Sequence, residues 1–148
     1  MTAFKNVVVP VDFGDPSRHA LELAVELAKQ FGASLTLVHV WEIPVYSYSA
    51  VVPIPVDLYT PLQRLAREQL EALVEETKKK VPDTKGILKQ GVPWREILGA
   101  IDETHADLVV MGTHGRRGVS RALLGSVTEK IVRASPTPVL TVRARAER

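Results

Sequence analysis

The stretch Ala106-Asp107-Leu108-Val109-Val110-Met111-Gly112-Thr113-His114-Gly115, continuing through Arg116-Arg117-Gly118-Val119-Ser120-Arg121 to Gly125-Ser126-Val127-Thr128-Glu129, decides the fold. It opens with a short apolar run, Ala106 to Met111, of the kind a parallel sheet buries on both faces. That run ends at Gly112. At the far end, Ser126-Val127-Thr128-Glu129 is a capping-box pattern, which puts the N-cap at Ser126 and predicts a helix through about Arg133. A strand, a glycine-bearing connection and a helix make one unit of a wound α/β fold.

The same alternation continues in both directions. Downstream, Pro136 and Pro138 punctuate the chain before a last strand, Val139 to Val142. Upstream, Val92 to Thr104 reads as a helix with Pro93 at its start and Ile97, Leu98 and Ile101 on one face. Gly86 to Gln90 is a weaker strand, and Thr60-Pro61-Leu62-Gln63 is a second capping-box pattern opening a long helix. In the last turns of that helix Glu75/Lys79 and Glu76/Lys80 are spaced as i,i+4 ion pairs. Ser34 to Val40 is the second strand, and Trp41 to Tyr59 a long loop bearing prolines and the tyrosines Tyr46 and Tyr48. At the start, Val7-Val8-Val9-Pro10-Val11 is a buried-strand run that ends at Asp12-Phe13-Gly14. Asp15 and Pro16 read as N-cap and first residue of a helix that buries Leu21, Ala24, Val25 and Ala28 and stops at Gly32.

Five strands and four helices in strict alternation predict a single domain over 1–148, an open, doubly wound parallel sheet with right-handed crossovers. Reversal of the winding after the third crossover gives strand order 3-2-1-4-5. Ligands of such sheets sit beyond the carboxyl ends of the strands at the switch point, here between strands one and four. The segments placed there are Asp12 to Asp15 and Gly112 to Ser126.

Composition narrows the class. The 148 residues are 45% hydrophobic and 24% charged and contain no cysteine. Disorder, a disulfide-stapled module, thiol catalysis and thiolate metal sites are thereby excluded. No apolar run reaches the roughly 18 residues of a membrane span, and Met1 to Asn6 lead directly into a strand, so a cytoplasmic protein without a signal peptide is expected. The net charge of +2 divides unevenly. Residues 1–105 carry 11 Lys and Arg against 14 Asp and Glu, a net of −3, whereas residues 106–148 carry 8 against 3, a net of +5. The basic third suits either an anion site or a solvated face with a ragged tail.

Glycines at 112, 115 and 125 allow positive φ and close approach of backbone N–H groups to a ligand. The N–H groups of Gly125, Ser126 and Val127 fall at a helix N-terminus, and Arg116, Arg117 and Arg121 add positive charge. This is the construction of a phosphate cradle. It is not a Walker A loop, since no Gly-Lys-Ser/Thr follows. It is not a dinucleotide fingerprint, since the glycines follow the fourth strand. Gly112→Val or Gly125→Val is expected to block nucleotide approach and leave the fold largely intact. Glu42, after the second strand, stands where a ribose-binding acid would sit in a dinucleotide fold, a weak signal without the glycines. His114 reads as a surface or hydrogen-bonding residue, His39 as a packed polar residue, and His19 and His105 as surface helix residues. Trp94 reads as a core or interhelix contact. No pair of histidines has metal-ligand spacing.

Gly112, Gly115, then nine residues, then Gly125-Ser126 form an ordered glycine motif. It stands with Val8-Val9-Pro10-Val11-Asp12, Leu37-Val38-His39-Val40 and the closing Pro138-Val139-Leu140-Thr141-Val142. The set resembles the ATP-binding subgroup of the universal stress proteins over essentially the whole chain. The resemblance implies ATP at the switch point and a homodimer paired through the last strand. It implies that Asp12, flanked by Pro10 and Val11, contacts the nucleoside, and that the backbone of Val40 bonds adenine. The loop from Met111 and Gly112 through Thr113, His114, Gly115, Arg116, Arg117 and Gly118 to Gly125 would take ribose and phosphates. Ser126, Val127 and Thr128 would hold the phosphates, with Mg2+ or Mn2+ bridging phosphate oxygens and no protein metal ligand.

The function expected is a nucleotide-dependent regulatory or stress-response module acting on an unidentified protein partner, with at most slow ATP hydrolysis and no assigned catalytic residue. An interaction or chaperone-like module without nucleotide is the first alternative, and a nucleotidyl-transfer or NAD-dependent enzyme the second. Nucleic-acid binding is disfavoured, since no aromatic residues interleave the arginines.

Overall fold

The computed structural model describes residues 3–42, 59–114 and 124–143. Its elements run β1 (Asn6–Pro10), α1 (Asp15–Phe31), β2 (Ser34–Trp41), α2 (Tyr59–Lys78), β3 (Thr84–Gln90), α3 (Pro93–Glu103), β4 (Leu108–Gly112), α4 (Ser126–Ala134) and β5 (Val139–Val142). All strand pairs are parallel, in the order β3-β2-β1-β4-β5 expected from the sequence. Among the described residues no helix is long and apolar enough to cross a membrane.

Two cores explain the apolar runs. Strand residues alternate faces, so Val7, Val9, Leu35, Leu37 and Val110 pack on one side against Ala24 and Val25 of α1 and Leu70 and Val74 of α2. Val8, Val38, Val109 and Met111 pack on the other against Ile97 and Ile101 of α3 and Ile131 of α4. Covering both faces leaves β1 with no polar side, hence Val7-Val8-Val9 at 1% exposure or less. Trp94 joins the helices of the second layer. Its ring packs on that core and carries the Arg95 guanidinium at 5.1 Å and the Lys130 ammonium at 5.2 Å.

Several local expectations are corrected. Asp15 is not the cap of α1 but its first residue. Gly14 is the cap, because the Asp12 carboxylate closes the turn by accepting the Gly14 N–H at 2.9 Å. Ser126 likewise lies inside α4, with Gly125 as cap and no side-chain capping bond. The connection returns to the sheet when Gly125 N–H donates to Thr113 C=O at 2.7 Å, which makes Gly125 the last extended residue before the helix. Helix α2 begins at Tyr59, which puts Thr60 inside its first turn. Its ion pair is Lys78–Glu75 at 3.2 Å rather than the i,i+4 pairs, because the helix ends at Lys78 and Lys79 and Lys80 occupy the following turn. His105 is past the end of α3 in a left-handed turn with φ of 52°.

Candidate functional site

At the carboxyl ends of β1 and β4 the winding reverses, and a cleft of about 470 Å3 opens there, within the range of small-molecule sites. It is lined by Pro10, Val11, Asp12, Val40, Met111, Gly112, His114, Gly125, Ser126, Val127 and Thr128, as the sequence led us to expect. Thr113 is not in the lining. It stands behind the wall, 4% exposed, with its N–H on Val142 C=O at 3.0 Å and its C=O occupied by Gly125. Its hydroxyl lies 3.0 Å from His114 Nδ1. Gly115, Arg116, Arg117, Gly118, Arg121 and most of the Trp41–Tyr59 loop, with Tyr46 and Tyr48, lie outside the described residues.

One wall of the cleft is a bare strand edge. Along β2 the peptide groups of alternate residues face opposite neighbours. Leu35 N–H bonds Asp83 and Trp41 C=O accepts from Gly91 on the β3 side. Ser34 N–H bonds Lys5 and Val38 C=O accepts from Val11 at 2.8 Å on the β1 side. The peptide groups of Val40 therefore face β1, but β1 has ended. Its last paired residue is Pro10, opposite Val38, and the chain then enters a turn in which Phe13 has φ of 65°. The N–H and C=O of Val40 consequently face the cleft, an adjacent donor and acceptor that no strand among the described residues pairs with.

The opposite wall is the N-terminus of α4. Its first N–H groups, on Ser126, Val127 and Thr128, have no intrahelical partner and carry the positive end of the helix dipole. Thr128, 3% exposed, fixes this end by donating its hydroxyl to Gly112 C=O at 2.8 Å. The Gly125 N–H, expected in the cradle, is instead spent on Thr113.

The glycine expectation also changes at Gly112. This residue is in β4 and does not use positive φ. A Cβ there would lie 2.9 Å from the Pro16 carbonyl carbon and 3.0 Å from its oxygen, so the residue is small to let α1 approach the sheet. Between the walls, Asp12 holds its turn and Ser17 braces it. Ser17 Oγ accepts Asp12 N–H at 3.3 Å and donates to Gly14 C=O at 3.1 Å.

Ser17, Val38, Pro93 and Ile97 also line the cleft, and sequence reasoning did not assign them; Glu42 does as well, although its signal had been weak. The period-2 relation of Val38 to Val40 was a usable signal for the first of the apolar pair. Ile97 and Pro93, one helical turn apart, gave a second. Nothing in the spacing pointed to Ser17. Among the described residues, no group of three His, Asp or Glu is placed to hold a metal ion.

Comparison with known proteins bears on the family and the fold. The universal stress protein family matches residues 3–143. Universal stress protein MJ0531 of Methanocaldococcus jannaschii is 32% identical over 146 residues, covering 95% of this chain and 82% of that one. Among solved structures, the hypothetical protein MJ0577 superposes with a TM-score of 0.79 at 26% identity, over 99% of this chain and 100% of that chain. A universal stress protein in complex with cAMP superposes with a TM-score of 0.66 at 26% identity, over 97% and 100% of the two chains.

Proposed function

The chain belongs to the universal stress protein family, and from that premise we propose that it is a single-domain, cytoplasmic nucleotide-binding regulator that takes ATP in the switch-point cleft. The observation that carries this reading is one cleft with two unlike walls. The Val40 peptide edge offers a donor and an acceptor to a base, and the open N-terminus of α4 suits phosphate oxygens. A 6-aminopurine complements the edge, its ring N1 accepting the Val40 N–H and its exocyclic amine donating to the Val40 C=O. Asp12 and Glu42 lie in the same cleft as acceptors for sugar hydroxyls. The relative crystallised with cAMP, a phosphorylated adenine nucleoside, supports the ligand class.

The donor set at α4 is one for anions, so a Mg2+ or Mn2+ arriving with the nucleotide would be held by phosphate oxygens and water. Arg116 and Arg117 are assigned to the phosphate end, and Arg116→Ala is expected to weaken ATP more than adenosine. Occupancy biases a protein-binding or dimer surface, with hydrolysis slow at most. The dimer is assigned to β5, which among the described residues is an edge strand paired only with β4, where Leu140 is 38% exposed and Val132 of α4 44%. Light scattering at micromolar concentration checks it.

The central test is to denature freshly purified protein, identify released nucleotide by chromatography, and titrate stripped protein calorimetrically with ATP and Mg2+. Released ATP, or micromolar binding at one site per chain, is the expected result. No released nucleotide and no binding heat at two temperatures would overturn the reading in favour of an interaction module.

A further inference from the structure

The bare edge at Val40 has a cause within the protein. Continued by one step, the β1–β2 ladder would join Val40 N–H to Val11 C=O, because Pro10 pairs with Val38 and parallel strands bond to the residues either side of the paired one. That bond is not made. The Val11 C=O instead lies 2.7 Å from His39 Nδ1. A carbonyl only accepts, so Nδ1 carries the proton and donates. The imidazole is held in place by the Phe13 ring, 4.5 Å away between centroids at 49°. Phe13 itself has a left-handed φ of 65° in the turn that follows β1. Such a conformation costs a non-glycine residue energy and persists only where its surroundings hold it.

We propose that His39 is a specificity-positioning residue: by occupying the Val11 carbonyl it ends the β1–β2 ladder at Val38 and reserves the Val40 N–H for the acceptor nitrogen of an adenine-type base. This rests on the reading of the cleft as a nucleotide site and adds what keeps its base-reading edge open. His39 does not touch the ligand in this scheme. It removes the intramolecular competitor for the donor that does.

The experiment is a double-mutant cycle between protein and ligand. ATP is compared with 1-deaza-ATP, which lacks the ring N1 and keeps the exocyclic amine, by calorimetry on wild type, His39→Phe and His39→Asn. The Phe variant keeps a ring against Phe13 and loses the donor; the Asn variant keeps a donor at the Nδ1 position. Wild type is expected to prefer ATP by about tenfold, the worth of one good hydrogen bond. The preference should vanish in His39→Phe and return in His39→Asn. A preference undiminished in His39→Phe overturns the proposal.

Amide hydrogen exchange in the ligand-free protein supplies a readout independent of nucleotide, and its wild-type comparison is independent of any variant's folding. In wild type the Val40 amide should exchange much faster than the ladder-bonded Val38 amide, and in His39→Phe it should gain about tenfold protection by pairing with Val11. Equal protection of Val38 and Val40 in wild type overturns the proposal. Fast Val40 exchange that gains protection in His39→Phe, in a protein that binds no nucleotide, would overturn the proposed function while upholding the role of His39 in ending the ladder.

Discussion

At the β1–α1 junction, Pro10 to Ser17, the chain's own side chains close the turn, whereas at the β4–α4 junction, Gly112 to Ser126, no side chain among the described residues takes up the helix N–H groups at the cleft. In the first, Asp12 Oδ1 takes the Gly14 N–H, Ser17 Oγ bridges Asp12 and Gly14, and Pro16 removes a donor from the first turn of α1. In the second, no side chain among the described residues caps α4, and Thr128 spends its hydroxyl on Gly112. Asp12 and Asp15 make the first junction acidic, and the arginines at 116, 117 and 121 make the second basic. The two junctions occupy equivalent places in successive halves of the fold. In the function proposed above, this difference is the reason for assigning the sugar to the first junction and the phosphates to the second.

The largest effect is expected where the junctions touch. Gly112 of the second presses on Pro16 of the first, with 2.9 Å left for a Cβ against backbone that cannot rotate aside. Gly112→Ala is expected to cost about 1–3 kcal/mol of stability by overpacking, and Gly112→Val more. Urea denaturation of ligand-free protein measures it. An unchanged midpoint would mean that α1 can move off the sheet and that the junctions are independent. This reverses the expectation drawn from sequence, where a valine at 112 was to spare the fold and block the ligand.

That reversal shows where sequence is legible. Apolar periodicity is a record of burial, so the alternation of Val7, Val8 and Val9 and the helical spacing of Leu21, Ala24, Val25 and Ala28 led directly to the layered sheet and its order. The cleft followed, because the switch point is a consequence of topology. Caps and glycines were read less well. Asp15, Thr60 and Ser126 have the residue types of N-caps, yet each lies inside its helix, since cap position depends on how the chain leaves the preceding segment. A glycine in sequence likewise does not distinguish positive φ, as at Gly32, from close packing, as at Gly112. Ser17 is missing from the sequence reading because its bonds run to backbone atoms in a turn that spacing does not describe.

The next effect isolates the phosphate wall. Thr128→Val preserves shape and removes the donor to Gly112 C=O, a bond of 2.8 Å at a residue 3% exposed. Leaving a buried acceptor unpaired costs about 1–2 kcal/mol, readable as a lower denaturation midpoint. Because this bond sets the start of α4 against β4, ATP affinity should fall by more than adenosine affinity. Equal losses for the two ligands would break the assignment of phosphates to this wall.

The smallest effect belongs to the brace of the other wall. Ser17→Ala deletes two bonds of 3.3 and 3.1 Å, both longer than the bond at Thr128. The groups released, Asp12 N–H and Gly14 C=O, belong to half-buried residues, so solvent can replace part of what is lost and the cost should stay near 1 kcal/mol or below. The informative quantity is the pattern across ligands. Ser17 holds the turn that carries Asp12, so adenosine and ATP should weaken together, by about threefold to tenfold, while inorganic triphosphate is unaffected. Thr128→Val should give the opposite pattern, with triphosphate affected and adenosine spared. If both variants instead weakened all three ligands alike, the cleft would be responding as one mobile unit, and the division between a self-satisfied junction and an open one would carry no functional meaning.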